Sequence, residues 1–525
     1  MPNQQHFVSR AAACAIAAAT VVAAPARADE FVDRVNKLFA DVRPDRRSDT
    51  VILPLLAKMA PAPDYLRDLR VFGLFSAQDP KFAEAKSWAE GPTQKAVIDG
   101  LKKVVKDGDP KDGFVFAQPY GIDGVPVELV RAKMFTELGD PPLLGAARML
   151  FKPALGDMQI LVHVEAMRLA SDGDMVGAIT LLTDWLFFVR QIADRPFFRE
   201  QVFGYGCMAL TLERIRDLAY LDSIGKRALG AHAGKVPELI ARLDLEKGTL
   251  AVSRLKFPIG DRIAAEQVIA IGFKERGGIN AATYATTMSR LGTSDHPLRL
   301  FSEAGRWESV AGSQKGWFDI SEELPRVYED WASRWTIDPF DRRMDQPFYY
   351  NTRLDSNGYA TIAAAIPDMK VLFRMREILK VEAVGTRGAL AVLGFYYETK
   401  GFPPQFPAVR PRFIKQLDAD PFNPNRARGA EPPLEYFVPV RDQPRGPREE
   451  PKPHEVQFFR GGVNFDLRFR DDQFILYSVG SDGAKNRATR VDNSWDEKLS
   501  GADYIIWPPM ISMYRQYLKD SGGLK

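Results

Sequence analysis

The chain has 525 residues, 45% of them apolar and 26% charged, with 71 Lys and Arg set against 68 Asp and Glu. This is the composition of a folded protein, and at about 100–200 residues per domain it is long enough for two to four units. A net charge of +3 supplies no basic field that would recruit nucleic acid or anionic lipid, and both are excluded as partners on that ground.

The first 28 residues have the layout of an export leader. Arg10 precedes the apolar run AAACAIAAATVVAA, and the small residues Ala26 and Ala28 flank Arg27 ahead of Asp29. Cleavage after Ala28 is expected, with the mature chain in the periplasm or outside the cell. Cys14 comes before most of the apolar run, which is the wrong place for a lipid-modified cysteine. Later apolar stretches are too short or too interrupted by charge to suggest a membrane anchor; TLLTDWLFFV, for example, contains Asp184 and is followed by Arg190. The mature chain keeps one cysteine, Cys207, so no internal disulfide can form.

From Asp29 to Ala154 the pattern is mixed and mostly helical. FVDRVNKLFADV and SWAEGPTQKAVIDGLKKVV carry apolar residues at helical spacing, and FVFAQPYGIDGVP is expected as an extended strap. A helical domain is expected over 155–366. Ile160, Val164 and Met167 form one stripe; Met175, Ala178, Ile179, Leu182, Leu186 and Val189 form the next, with Asp174 placed to cap its first turn. A third stripe runs through Phe198, Val202, Ala209, Leu212 and Ile215. GAHAGKV at 230–236 has the wrong glycine spacing for a phosphate loop and is expected as a connector between helices.

The segment WTIDPFDRRMDQPFYYNTRLD at 335–355 mixes aromatics, arginines and aspartates, a combination that can line a sugar or peptide groove or serve as a packed connection. Its Asp338, Asp341 and Asp345 are the candidate catalytic carboxylates if the chain is a hydrolase acting on glycan or peptide. The signatures G-x-S-x-G, H-E-x-x-H and C-x-x-C do not occur, and His163, His232, His296 and His454 have no second histidine at ligand spacing. The leading expectation is therefore a binding or scaffold component of the cell envelope, with an envelope protein or polymer as partner and no enzymatic activity.

A long helix is expected through Leu372, Met375, Leu379, Ala383, Leu390, Leu393 and Tyr397, stopped by Gly401 in a left-handed conformation and by Pro403. A short helix over PRFIKQL, a turn at DADPFNPN, and two strands, LEYFVPV and FILYSVG, follow. DQPRGPREEPKPHE at 442–455 is expected as a disordered, solvated loop between them, and 496–525 as a tail.

This order resembles the globular domain of type II secretion major pseudopilins over about residues 367–495. The matching positions are Gly401, Pro403, Asp420, Pro421, Tyr436, Tyr477, Ser478, Gly480, Asp482 and Gly483. The helical hairpins followed by this module also look like a family of exported bacterial proteins without an assigned activity. The resemblance implies a mainly α fold of helical hairpins with a small C-terminal α+β head. It also implies a calcium ion in the final loop, for which Asp482 and Asp492 match acidic positions; Lys485, Arg487 and Arg490 depart from the family pattern and weaken a dication site. The chain lacks the processing site of a prepilin, so assembly into a pseudopilus is not expected.

Overall fold

The computed structural model describes residues 25–105, 113–247, 250–293, 300–355, 357–444, 449–480, 482–493 and 501–524. The fold is mainly helical, with small antiparallel sheet pairings concentrated in the C-terminal part. Cys14 and His296, together with most of the expected leader, lie outside the described residues.

The three expected helices are Lys152–Ser171, Met175–Ala193 and Phe198–Ile224. The first two pack as a hairpin, and the third lies along the second. Asp174 caps as expected, its Oδ1 accepting the Gly177 N–H at 2.8 Å, which satisfies an amide that the helix itself cannot. Met175–Ala193 is long and apolar enough to cross a membrane by length and composition, and 78% of its most apolar window is buried inside the molecule. SWAEGPTQKAVIDGLKKVV divides at Gly91, so that Trp88 ends one helix, Phe82–Ala89, and the 96–104 stripe belongs to the next, Pro92–Val105.

The expected strap over 114–126 is extended as far as Gly121 and then turns at 122–124. It is fixed by Arg195, whose guanidinium donates to Gln118 O at 2.8 Å and to Glu200 at 2.9 Å and lies over the Tyr120 ring at 4.4 Å. Tyr120 Oη completes the loop by donating to Glu200 at 2.6 Å. The charge partner, the carbonyl acceptor and the aromatic face offset much of the cost of burying this arginine, although its Nη2 has no hydrogen-bond partner among the described residues.

The central element is the Met369–Thr399 helix, which packs along Phe198–Ile224 on one side and against the C-terminal sheet on the other. Its residues from Val381 to Gly394 are all buried, so no polar stripe is left in that stretch. Three glycines make room for neighbours. A Cβ at Gly385 would stand 2.4 Å from Ile506 Cδ1, one at Gly394 would stand 2.5 Å from Phe413, and one at Gly388 would crowd Phe406 and Leu476. Each glycine costs a helix interior about 1 kcal/mol relative to Ala, which close packing of helix on sheet has to offset.

Two short strands, β1 (Thr136–Glu137) and β2 (Arg148–Met149), pair antiparallel; in the C-terminal part the two expected strands are present and paired. β3 (Glu435–Phe437) runs antiparallel to β6 (Ile475–Ser478), with Glu435 opposite Tyr477 and Tyr436 opposite Leu476. The Tyr436 hydroxyl donates to Pro403 O at 2.9 Å, tying the strand to the turn after the long helix.

Several expectations are corrected. Lys400, not Gly401, is the left-handed residue that stops the helix, with φ 62°. PRFIKQL is a succession of turns, preceded by a short 3-10 segment at Phe406–Val409. The 442–455 segment ends earlier than expected, because His454 and Glu455 open β4 (His454–Arg460), which pairs with β5 (Val463–Phe469) as a hairpin; residues 445–448 lie outside the described residues. β4 also pairs in parallel with β7 (Arg490–Asp492). The expected tail holds β8 (Tyr504–Trp507), the third strand of the β3–β6–β8 sheet, and the helix Met510–Asp520.

Buried charges fasten this module to the helical layer. Arg216 donates to the Glu382 carboxylate and, at 2.7 Å, to Thr386 Oγ1; Tyr504 Oη donates to Glu382 at 2.6 Å. Glu213 Oε1 accepts from Arg460 and from the Ile511 amide, both at 3.0 Å. Arg214 and Arg515 converge on Asp217 and also donate to the carbonyls of Phe72, Leu74 and Phe75 where the Leu69–Leu74 helix ends, so two cations meet the negative end of that helix.

Candidate functional site

The 335–355 segment leaves the end of the Trp317–Trp335 helix as turns and re-enters helix at Tyr349–Arg353, followed by Ala360–Ala365. Arg334 organises the turns by donating to the carbonyls of Arg343, Gln346 and Pro347. The three candidate carboxylates occupy separate local roles. Asp338 Oδ1 accepts the Phe340 amide at 3.0 Å and its Oδ2 stands 3.6 Å from Arg426. Asp341 accepts the Arg343 amide and holds its guanidinium at 2.8 Å; these bonds keep its carboxyl low, at about 2. Asp345 is exposed. A general acid needs a proton near neutral pH, so Asp341 fits a charge partner or nucleophile better than a proton donor.

Asp338-Pro339-Phe340 and Asp420-Pro421-Phe422 turn out to share their turn chemistry, since Asp420 Oδ1 accepts the Phe422 amide at 3.0 Å just as Asp338 accepts that of Phe340. The side chain bonding two residues ahead is the Asx turn that Asp-Pro sequences favour. Arg426 spans the two turns by donating to Pro421 O at 3.3 Å while facing Asp338.

A cavity of about 290 Å³ opens beside the same segment, lined by Tyr350, Asn351, Leu354, Asp355, Tyr359 and Ala363. Asp355 closes the turn beneath it, its Oδ1 accepting from Asn357 N at 3.2 Å and Gly358 N at 2.6 Å. The Tyr359 hydroxyl is raised above its ordinary range by burial and by the carboxylates of Glu323, Asp319 and Asp355. The sequence reading reached this neighbourhood through its aromatic content but stopped at Asp355, short of Tyr359.

In the C-terminal loop Asp482 is exposed, its Oδ1 accepting the Ala484 amide at 2.9 Å and its Oδ2 the Gly501 amide. Its oxygens serve the turn itself, so replacing it by Ala would also disturb the ion-free loop. Asp492 lies buried in β7, its amide donating to Asp503 O at 3.0 Å. Asp503, which the sequence reading missed, connects the two: burial raises its carboxyl to about 7 against the amides of Ala488 and Asn486, and the Asp482 charge raises it further. Its position in the sequence, at the start of a strand within an apparent tail, offered no signal. Among the described residues no group of three or more His, Cys, Asp or Glu side chains is arranged to hold a metal ion.

Cys207 Sγ contacts Gln159 Oε1 at 3.2 Å, and burial pushes the thiol up to about 12, away from the thiolate that a nucleophile requires. His163 is fully buried, with Nε2 3.1 Å from Thr211 Oγ1; burial and Arg214 hold it well below the usual imidazole range.

No family model, curated protein or solved structure matches this chain.

Proposed function

We propose that the chain is an exported, non-enzymatic binding or scaffold protein of the cell envelope, acting in the periplasm or outside the cell. The observation that carries this reading is where its buried charges go. Arg214, Asp217 and Arg515, Glu213 and Arg460, and Arg216 and Glu382 are matched to one another, and they join the 69–75, 198–224, 369–399 and 454–520 segments into one body. Buried ions used in this way hold parts in register, giving a rigid frame on which a binding surface can be carried. The pairing of β3 with β6 under the Met369–Thr399 helix supports a pseudopilin-like head as one such surface.

Fractionation of cells carrying a tagged chain, followed by cross-linking in place, tests the reading. The mature chain is expected in the periplasm or medium, joined to an envelope protein or polymer. Recovery in the cytoplasm would overturn the localisation, and turnover of a glycan or peptide panel lost on Asp341→Asn would replace the scaffold with a hydrolase.

A further inference from the structure

The cavity beside the Tyr349–Arg353 helix has a chemistry that the envelope reading does not use. Among the residues that line it, Tyr350 and Tyr359 present aromatic rings, Leu354 and Ala363 are apolar, Asn351 is neutral and Asp355 supplies the charge. Among the described residues the amide bonds to Asp355 fall on Oδ1, and its Oδ2 stands beside Gly358 on the side that Lys315 Cε also approaches. The surroundings add negative charge. Asp319 and Glu323 act on the Tyr359 hydroxyl from the Trp317–Trp335 helix, and Glu323 Oε2 accepts from Tyr349 Oη at 2.6 Å. Arg326 is committed to Glu322 and Glu323, and Lys315 lies beside Gly358, its amide donating to Gly358 O at 2.9 Å.

A tyrosine face attracts a cation through its ring quadrupole, and a nearby carboxylate completes the attraction without requiring a directed hydrogen bond. Neutral sugars would instead need several fixed donors and acceptors around the ring, and this lining offers few. A volume of about 290 Å³ is at the small end of ligand cavities and suits a compact head group.

We infer that this cavity binds a small organic ammonium ion, seated against the rings of Tyr350 and Tyr359 with Asp355 as its counter-charge. The inference stands apart from the envelope reading, since it concerns a local site and would hold wherever the chain resides. The ammonium could be free or carried on a larger molecule, and the cavity recognises the head group alone.

Titration of the full chain with choline, and in parallel with its neutral carbon isostere 3,3-dimethylbutanol, is the direct test, read by calorimetry or by tyrosine resonances. Choline is expected to bind with roughly millimolar affinity, about tenfold more tightly than the isostere. Tyr359→Leu and Asp355→Asn should each weaken choline binding several-fold, while Tyr359→Phe, which keeps the ring, should retain it. Equal binding of choline and isostere, no choline binding, or affinity unchanged in both Tyr359→Leu and Asp355→Asn would overturn the inference. Should a variant fail to fold, the comparison of the two ligands on the unaltered protein decides.

Discussion

Arg515 and Asp217, 298 residues apart, meet through two parallel bonds, Nη1 to Oδ1 at 2.8 Å and Nη2 to Oδ2 at 3.0 Å, with Ser512 Oγ donating to the same Oδ1 at 2.6 Å. Burial alone would raise the Asp217 carboxyl, but the guanidiniums of Arg515 and Arg214 overcome it and hold the group at about 2. A depressed folded pKa means stability that is present above the unfolded value, about 4, and lost as pH falls toward about 2. That contribution is about 2 kcal/mol. Asp217→Asn should cost about 3–5 kcal/mol at neutral pH, because it strands two buried cations, and it should flatten the acid limb of the stability curve. Urea denaturation followed from pH 2 to 6 checks both effects, and an unchanged acid limb in the variant would remove Asp217 from the account.

Gly385 provides a second test of the same junction, this time through packing. A methyl there would stand within 3 Å of Ile506 Cδ1, Cγ2 and Cγ1, so the helix and β8 must separate or Ile506 must change rotamer. Gly385→Ala should therefore destabilise by about 1–3 kcal/mol, although Ala alone favours a helix. Ile506→Ala in the same chain should relieve much of that cost, giving a coupling that a double-mutant cycle measures directly.

The ease with which different parts could be read from the sequence follows the range of the forces involved. The helices over 152–224 were legible because each buries one face at a period of 3.6, and Asp174 caps through a bond only three residues long. The β4–β5 hairpin was missed even though its signal was local. HEVQFFR and VNFDLRF flank Gly461-Gly462, both with positive φ, the pair that a two-residue hairpin turn demands. YIIW in β8 is buried at every position and so shows no alternation to read. The long-range ion pairs Glu213–Arg460, Asp217–Arg515 and Glu382–Arg216 were out of reach, because the two partners lie more than 160 residues apart and nothing in either segment specifies the other. The candidate site fell between these cases: its aromatic content was visible, but the cavity required the turn at Asp355 to bring Tyr359 back beside Tyr350.

Asp503 gives stability the opposite slope with pH. Its carboxyl is raised to about 7, chiefly by burial, while the amides of Ala488 at 2.7 Å and Asn486 at 3.3 Å oppose the rise. A raised folded pKa means stability that is complete below about 4 and lost as pH climbs through about 7, a change of about 4 kcal/mol. Asp503→Asn stays uncharged and keeps an oxygen for the Ala488 amide. It should match the parent near pH 4 and melt higher near pH 8. Melting curves that stay parallel across this range would show that Asp503 does not titrate there.

The last expectation concerns the start of the mature chain. The first helix, Pro25–Asn36, runs across the expected cleavage site after Ala28. Beyond that point the helix carries several anchoring contacts. Phe31, Val32 and Val35 pack with Tyr120, Leu138, Leu144, Phe197, Ile263 and Ala264, and Arg34 donates to Glu266 at 2.7 Å. Asn36 exchanges two bonds with the Tyr120 backbone, at 3.1 and 2.8 Å. Removal of 1–28 shortens the helix by one turn and leaves this docking face whole. A chain beginning at Asp29 should thus melt within about 1 kcal/mol of the full-length protein, since a frayed helix end contributes little. Phe31→Ala in that shortened chain should cost about 2 kcal/mol by uncovering apolar surface. Terminal sequencing of the protein recovered from cells tests for a cut after Ala28, and a terminus beyond Asn36 would mean that the helix and its whole docking face are discarded.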